Sequence, residues 1–224
     1  MGTTNFVDLH ILRTHSPQDW YDRAVASCEG EPVNLHLLEG IPGKVGLARA
    51  AAFRRGTAPY VAWVDDDDEL VPGAIEQALA VLEARPEVVS VYSDLEIRGE
   101  DWGLIEERRK PLWTPMEQCQ KLVAVHHLHV VRRRAVMRWL LELERWDFNE
   151  EWSLMAMVLR RGPGKTPWIH WRIPQILYRA RRHDRYHRSG QGITHQLRRA
   201  ALREYDPILM DLHRRGVHQH QDQI

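Results

Sequence analysis

The chain has 224 residues, with 31 Lys and Arg against 31 Asp and Glu, so its formal charge is zero. Hydrophobic residues at 43% and charged residues at 28% describe an ordinary globular protein, long enough to bury a core without disulfides or a structural metal. A globally basic nucleic-acid coat and an acidic tail protein are excluded. The only cysteines, Cys28 and Cys119, form no Cys-x-x-Cys pair and no disulfide scaffold.

Met1 is followed by neither a charged nor an apolar leader, and no run approaches the ~18 apolar residues of a spanning helix. No transmembrane segment and a cytoplasmic location are therefore expected. In chain order, residues 6–12 read as a first strand. Ser16-Pro17-Gln18-Asp19 reads as a helix start, with Ser16 as N-cap and Pro17 at the first helical position. Trp20, Ala24, Val25 and Cys28 then share one helical face. Val33–Leu38 is a second strand, Val45–Arg55 a helix ending near Gly56, and Tyr60–Val64 a strongly apolar third strand. Pro72 opens a helix with Ile75, Ala78, Leu79 and Leu82 at i, i+3, i+4, i+7 spacing, and Val88–Tyr92 is a fourth strand. This alternation predicts a mostly parallel sheet covered on both faces.

Beyond Leu95 the rhythm breaks. A strand is predicted at His127–Val131, helices at Arg134–Leu143 and Glu150–Arg161, a strand at Trp168–Ile173 and a C-terminal helix from Ile193, with the tail after Gly216 frayed.

The segment Asp65-Asp66-Asp67-Asp68-Glu69 follows directly on the apolar third strand. Ligands of open α/β sheets bind at the carboxyl ends of strands. Carboxylates crowded there call for a cation, and hard ions such as Mg²⁺ or Mn²⁺ prefer oxygen ligands and bridge to phosphates. The other reading is a solvated acidic turn that caps the helix at Pro72. The buried-looking strand on one side and the Pro-started helix on the other favour the metal.

Gly46-Leu47-Ala48-Arg49-Ala50, followed by Gly56-Thr57-Ala58-Pro59-Tyr60 and the strand ending in Asp65-Asp66-Asp67-Asp68, resembles the core of GT-A glycosyltransferases of the family-2 type. The resemblance spans roughly residues 5–190. It implies an α/β fold of the GT-A, nucleotide-diphospho-sugar transferase type, a Rossmann-like mixed sheet flanked by helices. A catalytic domain over 1–190 is implied, with a nucleotide-sugar half at 1–105 and an acceptor half at 106–190, before a C-terminal helix and tail at 191–224. Asp65 and Asp67 match the Asp-x-Asp pair, Asp65 toward the nucleotide and Asp67 toward a Mn²⁺ or Mg²⁺ ion on the diphosphate. Asp66, Arg49, Arg13 at the end of the first strand, and Asp94 in Val91-Tyr92-Ser93-Asp94 are assigned to the nucleotide sugar.

Phe148-Asn149-Glu150-Glu151-Trp152 resembles the family's Glu-Asp-Trp helix start. It implies Glu151 as the catalytic base of an inverting transfer, with Glu150 as fallback. A carboxylate at a helix N-terminus is stabilised in its ionised form and can take the acceptor proton, although first-turn acids are also common simple caps. Leu177-Tyr178-Arg179-Ala180-Arg181-Arg182-His183 resembles the Tyr-x-x-Arg-x-His element. It implies His183 as a residue that completes the metal shell or contacts the diphosphate, and Arg179, Arg181 and Arg182 on phosphate oxygens. The polar segment 184–192 is expected to form a lid. His126-His127-x-His129 is read as packing rather than metal binding, because no acid or cysteine accompanies it at ligand spacing.

The expected partners are a UDP- or GDP-linked sugar donor and a hydroxyl acceptor, a saccharide or glycan precursor. Six arginines between Arg172 and Arg188 raise an alternative, a phage-type transferase acting on a hydroxymethylated pyrimidine in DNA within an infected bacterial host. A nucleotidyltransferase would place a Gly-rich loop after the first strand, where this chain has Arg13-Thr14-His15-Ser16-Pro17. A non-catalytic nucleotide-sugar-binding module would not need the acids. The neutral total hides a separation. Residues 61–107 carry 14 acids and 2 bases, whereas residues 151–224 carry 14 bases and 6 acids. A metal–diphosphate complex complements both.

Overall fold

The computed structural model describes residues 6–120, 125, 127–146, 150–160, 167–183 and 207–219, with the side chains of 119, 120, 150–153 and 160 outside that description. The elements in chain order are β1 (Val7–Arg13), α1 (Gln18–Ala26), β2 (Val33–Glu39), α2 (Val45–Phe53), β3 (Tyr60–Asp65), β4 (Glu69–Leu70), α3 (Ala74–Ala84), β5 (Val88–Arg98), β6 (Leu104–Arg108) and α4 (Pro115–Gln120). Then follow β7 (His129–Arg132), α5 (Arg133–Val136), a 3₁₀ turn to Trp139, α6 (Leu140–Leu143), α7 (Glu150–Met157), a second 3₁₀ turn and β8 (Ile169–Arg181). Residues 207–214 are helical.

One sheet runs β2-β1-β3-β7-β5-β8-β4, with β6 paired to β5. β1 is parallel to β2 and β3, whereas β7 is antiparallel to both β3 and β5. The sheet is thus mixed, as the GT-A resemblance implies, rather than mostly parallel. β7 comes from the second half of the sequence and lies between two strands of the first, so both halves share one sheet. The core follows the predicted apolar runs. Val7, Leu9, Ile11, Val61, Ile75, Leu82, Val88, Val91, Val130 and Leu154 are fully buried.

Two glycines allow close approaches. A Cβ on Gly46 would meet the carbonyl oxygen of Trp146 at 2.1 Å, and the Gly46 N–H donates to that oxygen at 2.9 Å. This contact sets α2 against the end of α6. Gly56 has φ +74°, and a Cβ there would meet the Asp8 carboxylate. Asp8 is fully buried at the amino end of β1 and accepts from Ala58 N–H, Asn34, His36 and the Arg133 guanidinium. These donors outweigh its burial and hold its carboxyl below the usual range.

Several sequence expectations change. Ser16 does not cap α1; its hydroxyl is used by Asp66. The strand read from His127 starts at His129, because His127 and Leu128 are left-handed, with φ of 63° and 45°. The strand read as Trp168–Ile173 continues to Arg181. The ladder with β5 shifts register near Pro174 and Gln175, and that irregularity hid the continuation. The tail is anchored through Gln219, which is 3% exposed. Its side chain accepts from Arg172 N–H at 2.9 Å and donates to Arg172 O at 3.2 Å. The predicted helix start at Ile193 lies outside the described residues.

Candidate active site at the carboxyl end of β3

β3 is buried from Tyr60 to Val64 and ends at Asp65, whose side chain is 38% exposed. The chain then turns, with Asp68 N–H donating to Asp65 O at 3.1 Å, and re-enters the sheet at β4. Four aspartates on so tight a turn must point different ways, and each has its own surroundings.

Asp65 faces the Arg49 guanidinium at 3.4 Å, and its backbone N–H donates to the Tyr178 hydroxyl at 3.3 Å. Asp66 turns back toward the loop after β1, accepting from Thr14 N–H at 2.6 Å and Ser16 Oγ at 2.9 Å. Asp67 meets His183 Nε2 at 2.8 Å, and this contact raises the imidazole pKa. Asp68 is buried, accepts from Arg181 N–H at 2.7 Å and stands 3.9 Å from His127 Nδ1. Burial, then the charges of Asp67 and Asp65, push its carboxyl well above the usual range. Burial, then the charges of Asp68 and Asp65, raise the Tyr178 hydroxyl.

Ligand atoms of Asp65, Asp68 and His127 lie within 4.8 Å of one another. Opposite ligands of a Mg²⁺-sized ion stand about 4 Å apart, so these groups could hold one with a small contraction. The raised Asp68 carboxyl fits that reading, since clustered carboxylates lacking a countercharge favour the protonated form. The sequence grouped Asp65 with Asp67 and His183. The structure groups Asp65 with Asp68 and His127, and sets Asp67 and His183 as a hydrogen-bonded pair beside them. The sequence weighed His127 for a metal and read it as packing, a reading with which its stacking on Tyr178 at 4.8 Å agrees; its place beside Asp68 depends on a left-handed turn and an inserted antiparallel strand. The signal was there in its place just before β7, the neighbour of β3. His129 stacks on Trp63 at 4.6 Å, as a packing residue would, while His126 lies outside the described residues.

A cavity of about 280 Å³ adjoins the turn, lined by Thr14, Ile41, Arg49, Asp65, Asp67 and His183 among others. Arg13 is not part of this lining; it donates to Gln18 at 2.5 Å and lies over Tyr21. Arg179 pairs with Glu96 at 3.2 Å, and Arg182 is exposed near Glu106 at 3.5 Å. Arg181 is engaged by the acidic turn and by two tryptophans.

Asp94 is brought to the same end of the sheet. Val61 pairs with Val131, which pairs with Ser90, so Asp94 stands level with Asp65, two strand spacings or roughly 10 Å away. It is buried and held by both arms of Arg172, at 2.9 and 2.8 Å, and by Lys110 N–H at 2.8 Å. A second cavity of about 630 Å³ opens beside this pair, lined also by Glu107, Arg109 and Gln175.

Glu150 and Glu151 are the first two residues of α7; their side chains lie outside the described residues, as do the segment 184–192 and Arg185 and Arg188. α7 is tied to the sheet where His170 Nε2 meets the Met155 carbonyl at 2.8 Å. Among the described residues, no helix is long and apolar enough to cross a membrane.

Residues 40–140 match the family described as Glycosyl transferase family 2. Among solved structures the chain is similar to S. aureus TarS 1–349, with 12% identity and a TM-score of 0.54 over 78% of this chain and 60% of that one. It is also similar to S. aureus TarS 1–349 in complex with UDP-GlcNAc, with 12% identity and a TM-score of 0.56 over 81% of this chain and 60% of that one. Against the longer S. aureus TarS the TM-score is 0.53 at 12% identity, covering 79% of this chain and 36% of that one. The chain thus spans less than two thirds of each of these proteins. No curated protein matches it in sequence.

Proposed function

We propose that this chain, whose fold is that of a GT-A, family 2-like glycosyltransferase, moves a sugar from a nucleotide diphosphate sugar to an acceptor hydroxyl with inversion, assisted by a divalent cation. One observation carries the reading. The carboxyl end of β3 presents four consecutive aspartates beside a cavity, and two of them each face an imidazole, His183 on Asp67 and His127 by Asp68.

Asp65, Asp68 and His127 would hold Mn²⁺ or Mg²⁺, with Asp67 and His183 adjacent. Such an ion, held there, would supply positive charge against the charge that builds on the leaving diphosphate. Arg49 sits at the rim and keeps Asp65 oriented. Asp66 serves the architecture, holding the loop that lines the cavity's other wall. Glu151, at the amino end of α7, takes the proton of the acceptor hydroxyl. That oxygen then attacks the anomeric carbon from the face opposite the diphosphate, and the carbon–oxygen bond to the nucleotide breaks. The TarS complex with UDP-GlcNAc makes UDP-linked sugars the first donors to test. A saccharide acceptor is favoured over DNA, since Arg172 and Arg179 are engaged in ion pairs with Asp94 and Glu96.

A thermal-shift panel of UDP, GDP, CDP and dTDP, each with and without Mn²⁺, tests the reading. We expect stabilisation by at least one nucleotide only with the ion, its loss in Asp67→Ala, and its retention in Glu151→Gln without turnover. If no nucleotide stabilises the chain under either condition, the glycosyltransferase reading fails. Near-normal turnover by Glu151→Gln would remove Glu151 as the base.

A further inference from the structure

The hairpin joining β5 to β6 carries a tryptophan in a backbone conformation that bulky residues avoid. Trp102 has φ +66°. A glycine would make the same turn without strain. Conformations of this kind persist where the surroundings over-determine them, and they gather at functional sites. The surroundings of Trp102 are two guanidinium groups. Arg181 Cζ lies 4.2 Å from the Trp102 ring and 4.2 Å from the Trp20 ring, and Arg23 Cζ lies 4.5 Å from the Trp102 ring. All three distances are within the range of cation–π attraction.

Arg181 is also where the hairpin meets the acidic turn. Its backbone N–H holds the Asp68 carboxylate at 2.7 Å, and its Nε donates to the Asp67 carbonyl at 3.1 Å. One terminal nitrogen donates to Glu100 O at 2.9 Å, back in the hairpin. Two residues further on, His183 sits on the Asp67 carboxylate, with its ring 5.4 Å from Trp20. A long, rotamer-rich side chain is thereby held in one conformation while it touches two of the four aspartates.

We propose that Trp102 is a positioning residue for the metal-binding carboxylates, acting through Arg181. The indole holds the guanidinium, the guanidinium holds the Asp67 backbone, and the same residue's N–H holds the Asp68 carboxylate. The left-handed backbone at 102 is the local cost of aiming the ring. The inference rests on the metal-assisted reading above and adds a residue 34 positions beyond Asp68 that does not line the cavity.

The test is Mn²⁺ titration of the full chain by electron paramagnetic resonance, with no donor present, on the parent, Trp102→Gly and Trp102→Phe. Glycine relieves the left-handed backbone and removes the ring; phenylalanine keeps a ring. Residues that orient metal ligands from outside the ligand set commonly change metal affinity 10- to 100-fold, so we expect about tenfold weaker Mn²⁺ binding in Trp102→Gly. Trp102→Phe should stay near the parent, with cooperative melting kept in both. A cooperatively melting Trp102→Gly that binds Mn²⁺ like the parent overturns the proposal. A purely structural hairpin contact would give that result, lowering Tm without moving the affinity. Should Trp102→Gly not fold, Trp102→Leu, which keeps bulk but lacks the ring, is read the same way. A parent chain that binds no Mn²⁺ overturns the metal reading together with this inference, whereas a parent that binds beside an unchanged variant overturns this inference alone.

Discussion

The Asp66 carboxylate accepts the backbone N–H of Thr14 at 2.6 Å, which joins the loop after β1 to the acidic turn after β3. Thr14 and Ser16 line the same cavity as Asp65 and Asp67, so this hydrogen bond ties together two segments of its wall. Asp66→Ala strands the Thr14 N–H and the Ser16 hydroxyl. Hydrogen bonds to a charged group are worth about 1.5–3 kcal/mol, and urea melts should show a loss of that order. Nucleotide affinity should fall with it. Unchanged stability and affinity would show that the loop is held by other means.

Gly46→Ala should separate binding from turnover. The new methyl would meet the Trp146 carbonyl at 2.1 Å and the Leu143 carbonyl at 2.2 Å, both backbone atoms that have little room to yield. Overpacking of this kind costs about 1–3 kcal/mol. The displaced segment leads into α7 and Glu151. We expect kcat to fall more than donor affinity, read by comparing turnover with nucleotide thermal shifts.

The placement of the acidic turn was legible in the sequence because its signals are local. An apolar strand, an acid run and a proline-started helix occupy consecutive positions, and the structure puts Asp65–Asp68 at the end of β3 for the reasons those residues suggest. The positions that His127, Tyr178 and Trp102 take around the acidic turn were not legible. His127 depends on a left-handed turn, Tyr178 on a strand whose irregularity near Pro174 concealed its length, and Trp102 on a hairpin joined to β8 through Arg181. Ser16 shows a local signal being overridden, since a good capping residue was taken by a carboxylate 50 positions away.

Acid should destabilise the fold through buried neutral histidines. Ser90 Oγ lies 2.6 Å from His170 Nδ1, and His170 Nε2 lies 2.8 Å from the Met155 carbonyl. A carbonyl only accepts, so Nε2 carries the proton and Ser90 donates to Nδ1. Burial lowers the His170 pKa from 6.5 to about 3, and burial likewise lowers His10 to about 4. Between those values the unfolded chain binds protons that the folded chain does not. Their stabilisation is therefore complete above pH 6.5 and is lost as pH falls, by about 1.4 kcal/mol per pH unit for each group. Asp68 and His183, whose raised values add stability as pH falls, act in the opposite sense, so the loss is read as a difference between the parent and His170→Gln in urea midpoints at pH 7, 6 and 5, the parent falling more steeply. Parallel pH series for the two proteins would contradict the neutral assignment of His170.

Arg133→Leu should leave the site intact while weakening the fold. Arg133 pairs with Asp8 and donates to the carbonyls of Ala58 and Phe53 at the amino end of the sheet, away from the acidic turn. Removing one partner of a buried pair costs about 3–5 kcal/mol. At a temperature where the variant remains folded, its Mn²⁺ and nucleotide binding should match the parent. A binding defect under those conditions would mean that the two ends of the sheet are coupled.

The antiparallel insertion of β7 between β3 and β5 bears on any attempt to recombine this chain with a relative. A hybrid joined near residue 105 takes His129–Arg132 from the other parent, and that borrowed segment must fill a slot whose two walls come from this one. Four residues would have to satisfy ladders on both sides while carrying His129 onto Trp63. Grafts that exchange loops on either side of β7 respect this constraint. Modular swaps of whole halves leave β3 and β5 facing a strand that neither was selected to pair with.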